Sequence, residues 1–517
     1  MKSKQIRRLI LPGVTGLAAI SLAGCTGGGL NPSQKPNIIF ILADDLGYND
    51  LGCYGQKIIE TPNIDSLAQR GIRFTQYYSG SPVSAPSRCV LLTGRHTGHS
   101  FIRGNHEWPE RGDVWNFLEM EKDPSLEGQY PVPAETVTFS KLLQESGYST
   151  ACIGKWGLGA PFTEGVPSRQ GFDLFFGYNC QRQAHTYYPG HLWRNEEIIR
   201  LGNELVAPHT TELDGDGDPY REENYSRYNL KEYAPELMLD EAIAFIQASR
   251  EKPFFLHFTT VIPHVPLQAP EEWVEKYRQK IGNEEPYTGN RGYFPCRYPM
   301  ATYAAMVAYL DYQVGCLVQE LRKQGLYENT IIFFTSDNGP VTTGGAVSQF
   351  FENAKPFNQS SDRLKGSVYE GGIRVPMIIA WPGKTDKPVV SDHVCAAWDM
   401  FPTICDITGI GQPGDLDGLS FIPTIIQKGR QEQHEYLYWE YPERRGQQAV
   451  RMGSWKGIRD SIRDGNMKIS LYDLNEDVTE ERDLAGEYPE IIRRIGDIMS
   501  GEHQRPEIER FNLFTSN

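Results

Sequence analysis

The chain has 517 residues, 39% of them hydrophobic, and carries 51 basic against 66 acidic side chains, for a formal charge of -15 at pH 7. That length supports a large buried core, with one big domain and a smaller one beside it as the default arrangement. The acidic balance argues against nucleic acid or an anionic membrane surface as a partner, so any anionic substrate would have to be met by a local basic pocket.

Lys2, Lys4, Arg7 and Arg8 precede an apolar stretch from Leu9 that is too short and Pro-broken to span a membrane, the pattern of an export signal. It ends in Leu22-Ala23-Gly24-Cys25, which resembles the lipobox of bacterial lipoproteins. The resemblance implies a lipid on Cys25 that anchors an exported protein to a bacterial membrane, facing the periplasm or the cell surface. Loss of that signal, with four positive charges and no negative ones, takes the formal charge from -15 to -19. Residues 26–36 read as a flexible tether.

Order is expected from Asn37. Residues 37–43 form a continuous apolar run, as a strand buried on both faces of a parallel sheet requires, and the run stops at Asp44-Asp45. Thr61-Pro62 opens a helix with Ile64, Leu67 and Ala68 on one face and Gly71 past its end. Strands are predicted over 149–155, 253–260, 330–335 and 374–381, and helices near 136–146, 301–324 and 399–408. The alternation predicts an α/β fold, a large, mixed but mainly parallel sheet sandwiched by helices, with its active site at the carboxyl ends of the strands.

Between 160 and 300 the pattern loosens into long loops, including QRQAHTYYPGHLWRNEE at 181–197, where specificity usually resides. Short strands near 435–441, 455–459 and 468–472 and a helix at 488–500 predict a small C-terminal α+β subdomain. The expected division is therefore a signal at 1–24, a tether at 25–36, a catalytic domain at 37–430 and a subdomain at 431–517. The eight cysteines after Cys25 include no CxxC and no zinc spacing with His, and read as buried thiols or one or two disulfides.

Two buried-looking strands end alike, in Asp44-Asp45 and Asp337-Asn338. Each pair alone reads as a turn or cap. Together, at neighbouring strand ends, they offer three carboxylates and an amide oxygen, a hard site that suits Ca²⁺ better than Mg²⁺ and does not suit zinc. In SPVSAPSRCVLLTGR, residues 81–95, Pro86 fits a first helical position, and Ser84 just before it reads either as a cap or as a group set at an anion-stabilising helix start.

The string from Ser84 to Arg95 resembles the signature of the formylglycine-dependent sulfatases, in which a leading Cys or Ser is converted to an aldehyde. TPNID, GKWGLG at 154–159, Pro263-His264-Val265-Pro266, SDNG at 336–339, Lys365-Gly366, YEGGIRVP at 369–376 and LYDLNED at 471–477 follow in family order. The resemblance implies an alkaline phosphatase/sulfatase-like fold and calcium held by Asp44, Asp45, Asp337 and Asn338, with position 84 as a further ligand. It also implies that Arg88, Lys155 and Lys365 hold sulfate and the aldehyde hydrate, and that His264 assists the leaving oxygen. Ser84 would be the precursor of a hydrate with two hydroxyls, one to attack sulfur and one whose deprotonation expels sulfate. A serine at this position further implies maturation by a radical S-adenosylmethionine enzyme.

One departure stands out. Many family members read GKWHLG, whereas this chain has Gly157, which leaves the base unassigned between candidates such as His99 and His185. For a sulfated mono- or oligosaccharide, His185, Tyr188 and Trp193 in the aromatic loop and Arg103 in FIRGNHEW offer faces and donors. The 179–189 and 96–105 strings, NCQRQAHTYYP and HTGHSFIRGN, resemble bacterial sulfatases acting on galactose or N-acetylgalactosamine, with the 4-O position favoured over 6-O or 3-O. Two other functions compete: phosphate or phosphonate ester hydrolysis on the same fold, and a catalytically silent glycan-binding lipoprotein.

Overall fold

Asn-Ile-Ile-Phe-Ile-Leu-Ala at Asn37–Ala43 is buried along its whole length because it lies at the heart of a ten-stranded sheet. The computed structural model describes residues 35–385 and 387–514, and the export signal and Cys25 expected from the sequence lie outside them. In spatial order the strands are Val389–Ser391, Ile72–Phe74, Met377–Ala380, Thr330–Ser336, Asn37–Ala43, Phe254–Thr259, Ser149–Lys155, Leu174–Tyr178, His191–Arg194 and Glu197–Arg200. The five from Thr330–Ser336 to Leu174–Tyr178 run parallel.

Side chains alternate across the central strand and reach two separate cores. Ile39 and Ile41 pack with the helices Pro62–Gln69, Ala234–Ala248 and Pro299–Lys323, while Ile38, Phe40 and Leu42 pack with Ser84–Thr93, Phe139–Glu145 and Met400–Thr408. The sheet is thus covered on both faces. No helix among the described residues is long and apolar enough to cross a membrane. All eight described cysteines are free, so the disulfide alternative is set aside for them.

Three expectations are corrected here. The strand expected at 374–381 is the shorter Met377–Ala380, and it runs antiparallel to both neighbours. The 181–197 stretch is not all loop, because His191–Arg194 and Glu197–Arg200 pair as an edge hairpin. In the C-terminal part a fourth strand, Gln447–Met452, joins Leu437–Tyr441, Trp455–Asp460 and Ser470–Asp473 in an antiparallel sheet. The helix Pro489–Gly501 covers one face of that sheet through Ile495 and Met499. Trp439, Tyr441, Ala449 and Ile458 on the other face share the core of the main sheet, and from Lys35 on the chain is one compact unit.

At the carboxyl edge the parallel strands crowd together at Gly154, Gly177 and Thr259, which are register partners. Gly154 has φ of 126°, and a Cβ there would overlap the Thr259 carbonyl oxygen. The crowding fixes where the next residue, Lys155, leaves the sheet. Gly154→Ala is therefore expected to lower unfolding free energy by at least about 2 kcal/mol, read from urea denaturation; an unchanged midpoint would contradict this packing.

Candidate functional site

The parallel ladder continues past the strand ends and delivers the carboxylates to one place. Asp44 N–H donates to the Ile262 carbonyl at 3.1 Å and Asp337 N–H to the Ala43 carbonyl at 3.0 Å. Asp45 takes a left-handed backbone, φ 65°, rare for a residue other than glycine and characteristic of functional turns. Its N–H reaches Asp337 Oδ1 at 3.2 Å, and Asn338 Nδ2 donates to Asp45 Oδ1 at 2.7 Å. Asp44, Asp45, Asp337 and Asn338 are all buried.

Ser84 is the first residue of the buried helix Ser84–Thr93, two residues earlier than the Pro86 start expected from the sequence, and it caps nothing. Its hydroxyl donates to Asp44 Oδ1 at 3.1 Å and lies 3.3 Å from Lys155 Nζ. One helical turn on, Arg88 donates to Asp337 Oδ2 and to the Lys155 carbonyl, both at 2.8 Å. Lys155 Nζ pairs with Asp44 at 2.7 Å and Lys365 Nζ with Asp45 at 2.7 Å. Lys365 is brought in by backbone bonds from its N–H to the Pro340 carbonyl, 3.2 Å, and from Gly366 N–H to the Pro82 carbonyl, 2.9 Å. His264 Nε2 lies 3.5 Å from Asp45, with Nδ1 2.5 Å from the Val265 carbonyl.

The nine residues singled out for metal and chemistry thus converge. Burial would raise the Asp44 carboxyl, but Lys155, His264 and Arg88 outweigh it and hold the pKa far below the usual range. Burial pushes Asp337 up to about 6, helped by the charge on Asp44. Burial lowers the Lys155 ammonium despite Asp44. The repulsion among the carboxylates is thus only partly relieved by their cations. Asn338 Oδ1 is buried and accepts no hydrogen bond, a costly orphan unless a cation takes it. Ligand atoms of Asp44, Asp45 and His264 lie within 4.8 Å of one another. With oxygens dominating the donors, the set fits a hard divalent cation such as Ca²⁺.

The residues named for a sugar are divided. His185 belongs to the site: its ring stacks on His264 at 5.2 Å and 14°, beside Tyr293 and His209, and its buried Nδ1 has no partner. Arg103, Tyr188 and Trp193 do not reach it. Arg103 is buried against Glu440 and the Gln504 carbonyl, Trp193 donates to Glu127 at 2.9 Å, and Tyr188 packs against Tyr233. Each has the size and polarity of a sugar contact, and each is spent on holding loops to the sheet. His99, one of the candidate bases, packs against Asp417 and Glu502 instead.

Sequence reasoning missed Asn105 and Gln181. Asn105 Oδ1 accepts the Ala85 N–H at 2.8 Å and so tethers the start of the active helix. Gln181 Nε2 lies 3.4 Å from the same oxygen, and Gln181 fills the space beside Gly157, where a Cβ would come within 2.8 Å of Gln181 Cγ. The missing side chain at 157 and the glutamine in its space are one exchange, visible only in three dimensions.

The turn carrying His185 rests on a buried network in which Gln183 and His191 share Glu127 at 2.8 and 2.7 Å, and His191 also faces Glu121 at 3.1 Å. Burial alone would lower the His191 imidazole, but hydrogen bonds to Glu121 and Glu127 raise its pKa to about 9.

Comparisons with known proteins agree with this geometry. A family model described as Sulfatase matches residues 36–410, and one described as N-sulphoglucosamine sulphohydrolase, C-terminal, matches 363–501. Arylsulfatase A of Homo sapiens is 30% identical, covering 92% of this chain and 89% of that protein. N-acetylgalactosamine-6-O-sulfatase of Bacteroides thetaiotaomicron is 28% identical, covering 97% of this chain and all of its own. A crystal structure of Ps i-CgsB in complex with k-i-k-neocarrahexaose superposes with a TM-score of 0.72 at 28% identity, over 92% of this chain and 94% of that one.

Two outcomes are expected. Calcium raises the melting temperature and chelator lowers it, a cation at a hundred times its Kd adding about 2.7 kcal/mol. Asn338→Leu abolishes that increment, and a calcium response surviving in the variant would place the cation elsewhere. For His191 the folded pKa lies above the unfolded value, so its stabilisation is complete below about pH 6.5 and is lost as pH rises toward 9, a change on the order of 1–3 kcal/mol. Urea titrations across that window should slope downward for the wild type and flatten in His191→Gln.

Proposed function

The chain belongs to the sulfatase family, and on that premise we propose that it hydrolyses O-sulfate esters of galactose or N-acetylgalactosamine through a calcium-assisted formylglycine made from Ser84. The observation that carries the reading is the contact of Ser84 with Asp44 and Lys155 inside a ring of three carboxylates and three cations. A formylglycine hydrate at position 84 supplies one hydroxyl to attack sulfur and a second whose deprotonation expels sulfate, and a divalent cation supplies the charge that acidifies the attacking hydroxyl.

The chain's own residues do the rest. Arg88, fixed on Asp337 and on the Lys155 carbonyl, is preorganised to receive sulfuryl oxygens without rearrangement. Lys155, paired with Asp44, and Lys365, paired with Asp45, balance the charge that develops on those oxygens. Asp44 and Lys155 are the ionisable groups in contact with position 84, and they orient its hydroxyl. His264 or Lys365, both on Asp45, protonates the departing sugar oxygen, help worth about 10²–10⁴-fold.

The sequence favours the 4-O position, while the bacterial relative is named for 6-O-sulfate. A radical S-adenosylmethionine enzyme as the maturase, and export with a lipid on Cys25, complete the proposal. The test is mass spectrometry across residue 84 after co-expression with such a maturase, with sulfate release measured on 3-, 4- and 6-monosulfated galactose and N-acetylgalactosamine. Loss of two hydrogens at Ser84 and calcium-dependent release from a galacto-configured sugar are expected, with Ser84→Ala inactive. A matured chain that releases sulfate from none of them contradicts the reading.

A further inference from the structure

We propose that Arg444 forms a second anion site on the rim of this centre, receiving a carboxylate or an additional sulfate carried by the same saccharide. The inference rests on the carbohydrate sulfatase reading above and names what else its substrate bears.

Arg444 comes from the C-terminal sheet, in the turn between Leu437–Tyr441 and Gln447–Met452. Its guanidinium lies directly on Gly366, so closely that a Cβ on that glycine would fall inside it. Gly366 follows Lys365, and its N–H donates to the carbonyl of Pro82, two residues before Ser84. The cation is therefore set against the backbone that carries two of the reacting groups.

The turn is built to hold it there. Arg444, Arg445 and Gly446 take successive left-handed conformations, φ 46°, 74° and 81°. A glycine or asparagine would adopt that geometry without penalty, so two consecutive arginines in an exposed turn point to use of the side chain. Glu443 fastens the turn to the active helix: it accepts the Asn105 N–H at 2.5 Å and the Tyr441 hydroxyl at 3.0 Å, and Asn105 in turn accepts the Ala85 N–H.

The two arginines differ in what they meet. Arg445 pairs with Asp464, whereas Arg444 is exposed and has no carboxylate partner among the described residues. Arg444 is thus a cation held on the rim with no carboxylate among the described residues to neutralise it. A guanidinium fork binds carboxylate or sulfate with two parallel hydrogen bonds, which fits an acidic sugar or a second sulfate ester equally well.

Binding separates this proposal from the catalytic one. The full chain produced without maturase keeps Ser84, so titration calorimetry can measure affinity without turnover. Three probes suffice: a monosulfated N-acetylgalactosamine, the same sugar linked to a hexuronate, and its disulfated form. At least one doubly charged probe is expected to bind about tenfold tighter than the monosulfated sugar. Arg444→Gln should erase that preference while leaving the monosulfated sugar within about twofold, Arg444→Lys should keep part of it, and the preferred probe identifies the anion. Equal binding of all probes by the wild type, or equal losses for all probes in Arg444→Gln, overturns the site. Sulfate release by the matured chain is scored separately: release without Arg444-dependent binding defeats this site alone, and Arg444-dependent binding without release defeats only the catalytic reading.

Discussion

Three carboxylates, Asp44, Asp45 and Asp337, are buried side by side at the edge of one sheet, and most of the structure around them serves to make that tolerable. An unpaired buried carboxylate costs several kcal/mol even after relaxation. Here each has a cation: Lys155 on Asp44, Lys365 on Asp45 and Arg88 on Asp337. The charges of these six side chains sum to zero, so a divalent cation added to them leaves a net positive site. That is the condition for drawing a sulfate ester into a protein whose overall charge is -15.

The same constraint explains the architecture. Parallel register places the tips of Asn37–Ala43 and Thr330–Ser336 level, so the two acidic pairs meet. The crowded glycines beside Thr259 bring Lys155 to the same height, and a wholly buried helix holds Ser84 and Arg88 one turn apart. The antiparallel C-terminal sheet is part of the same assembly, since Glu443 reaches the active helix through Asn105. The buried cluster therefore rests on the central strands and the buried helix, with the loops and the second sheet packed around it.

The convergence of the nine residues was legible in the sequence because each of them sits in a local motif. Apolar runs ending in Asp44-Asp45 and Asp337-Asn338 declare strand tips, and the string from Ser84 to Arg95 is specific. The sugar-facing wall was not. Trp193, Tyr188 and Arg103 have the composition of ligand contacts, but burial and partners such as Glu127 and Glu440 decide their use, and those lie 66 and 337 residues away in the chain. Strands of three residues such as Ile72–Phe74 and Val389–Ser391 carry too little periodicity to be read. The exchange of a side chain at Gly157 for Gln181 and the seating of Arg444 on Gly366 are contacts between distant segments, which no spacing rule reports.

The central claim is that one buried cluster holds a cation and a sulfate ester together. It is tested most directly by a crystal structure of the full chain with Ser84 unmodified, grown with calcium and a monosulfated galactose. The account predicts a cation bound by Asp44, Asp45, Asp337 and the orphan oxygen of Asn338, with the sulfate between Arg88, Lys155 and Lys365. A cation bound at other residues, or a sulfate ester seated away from those three side chains, would contradict it.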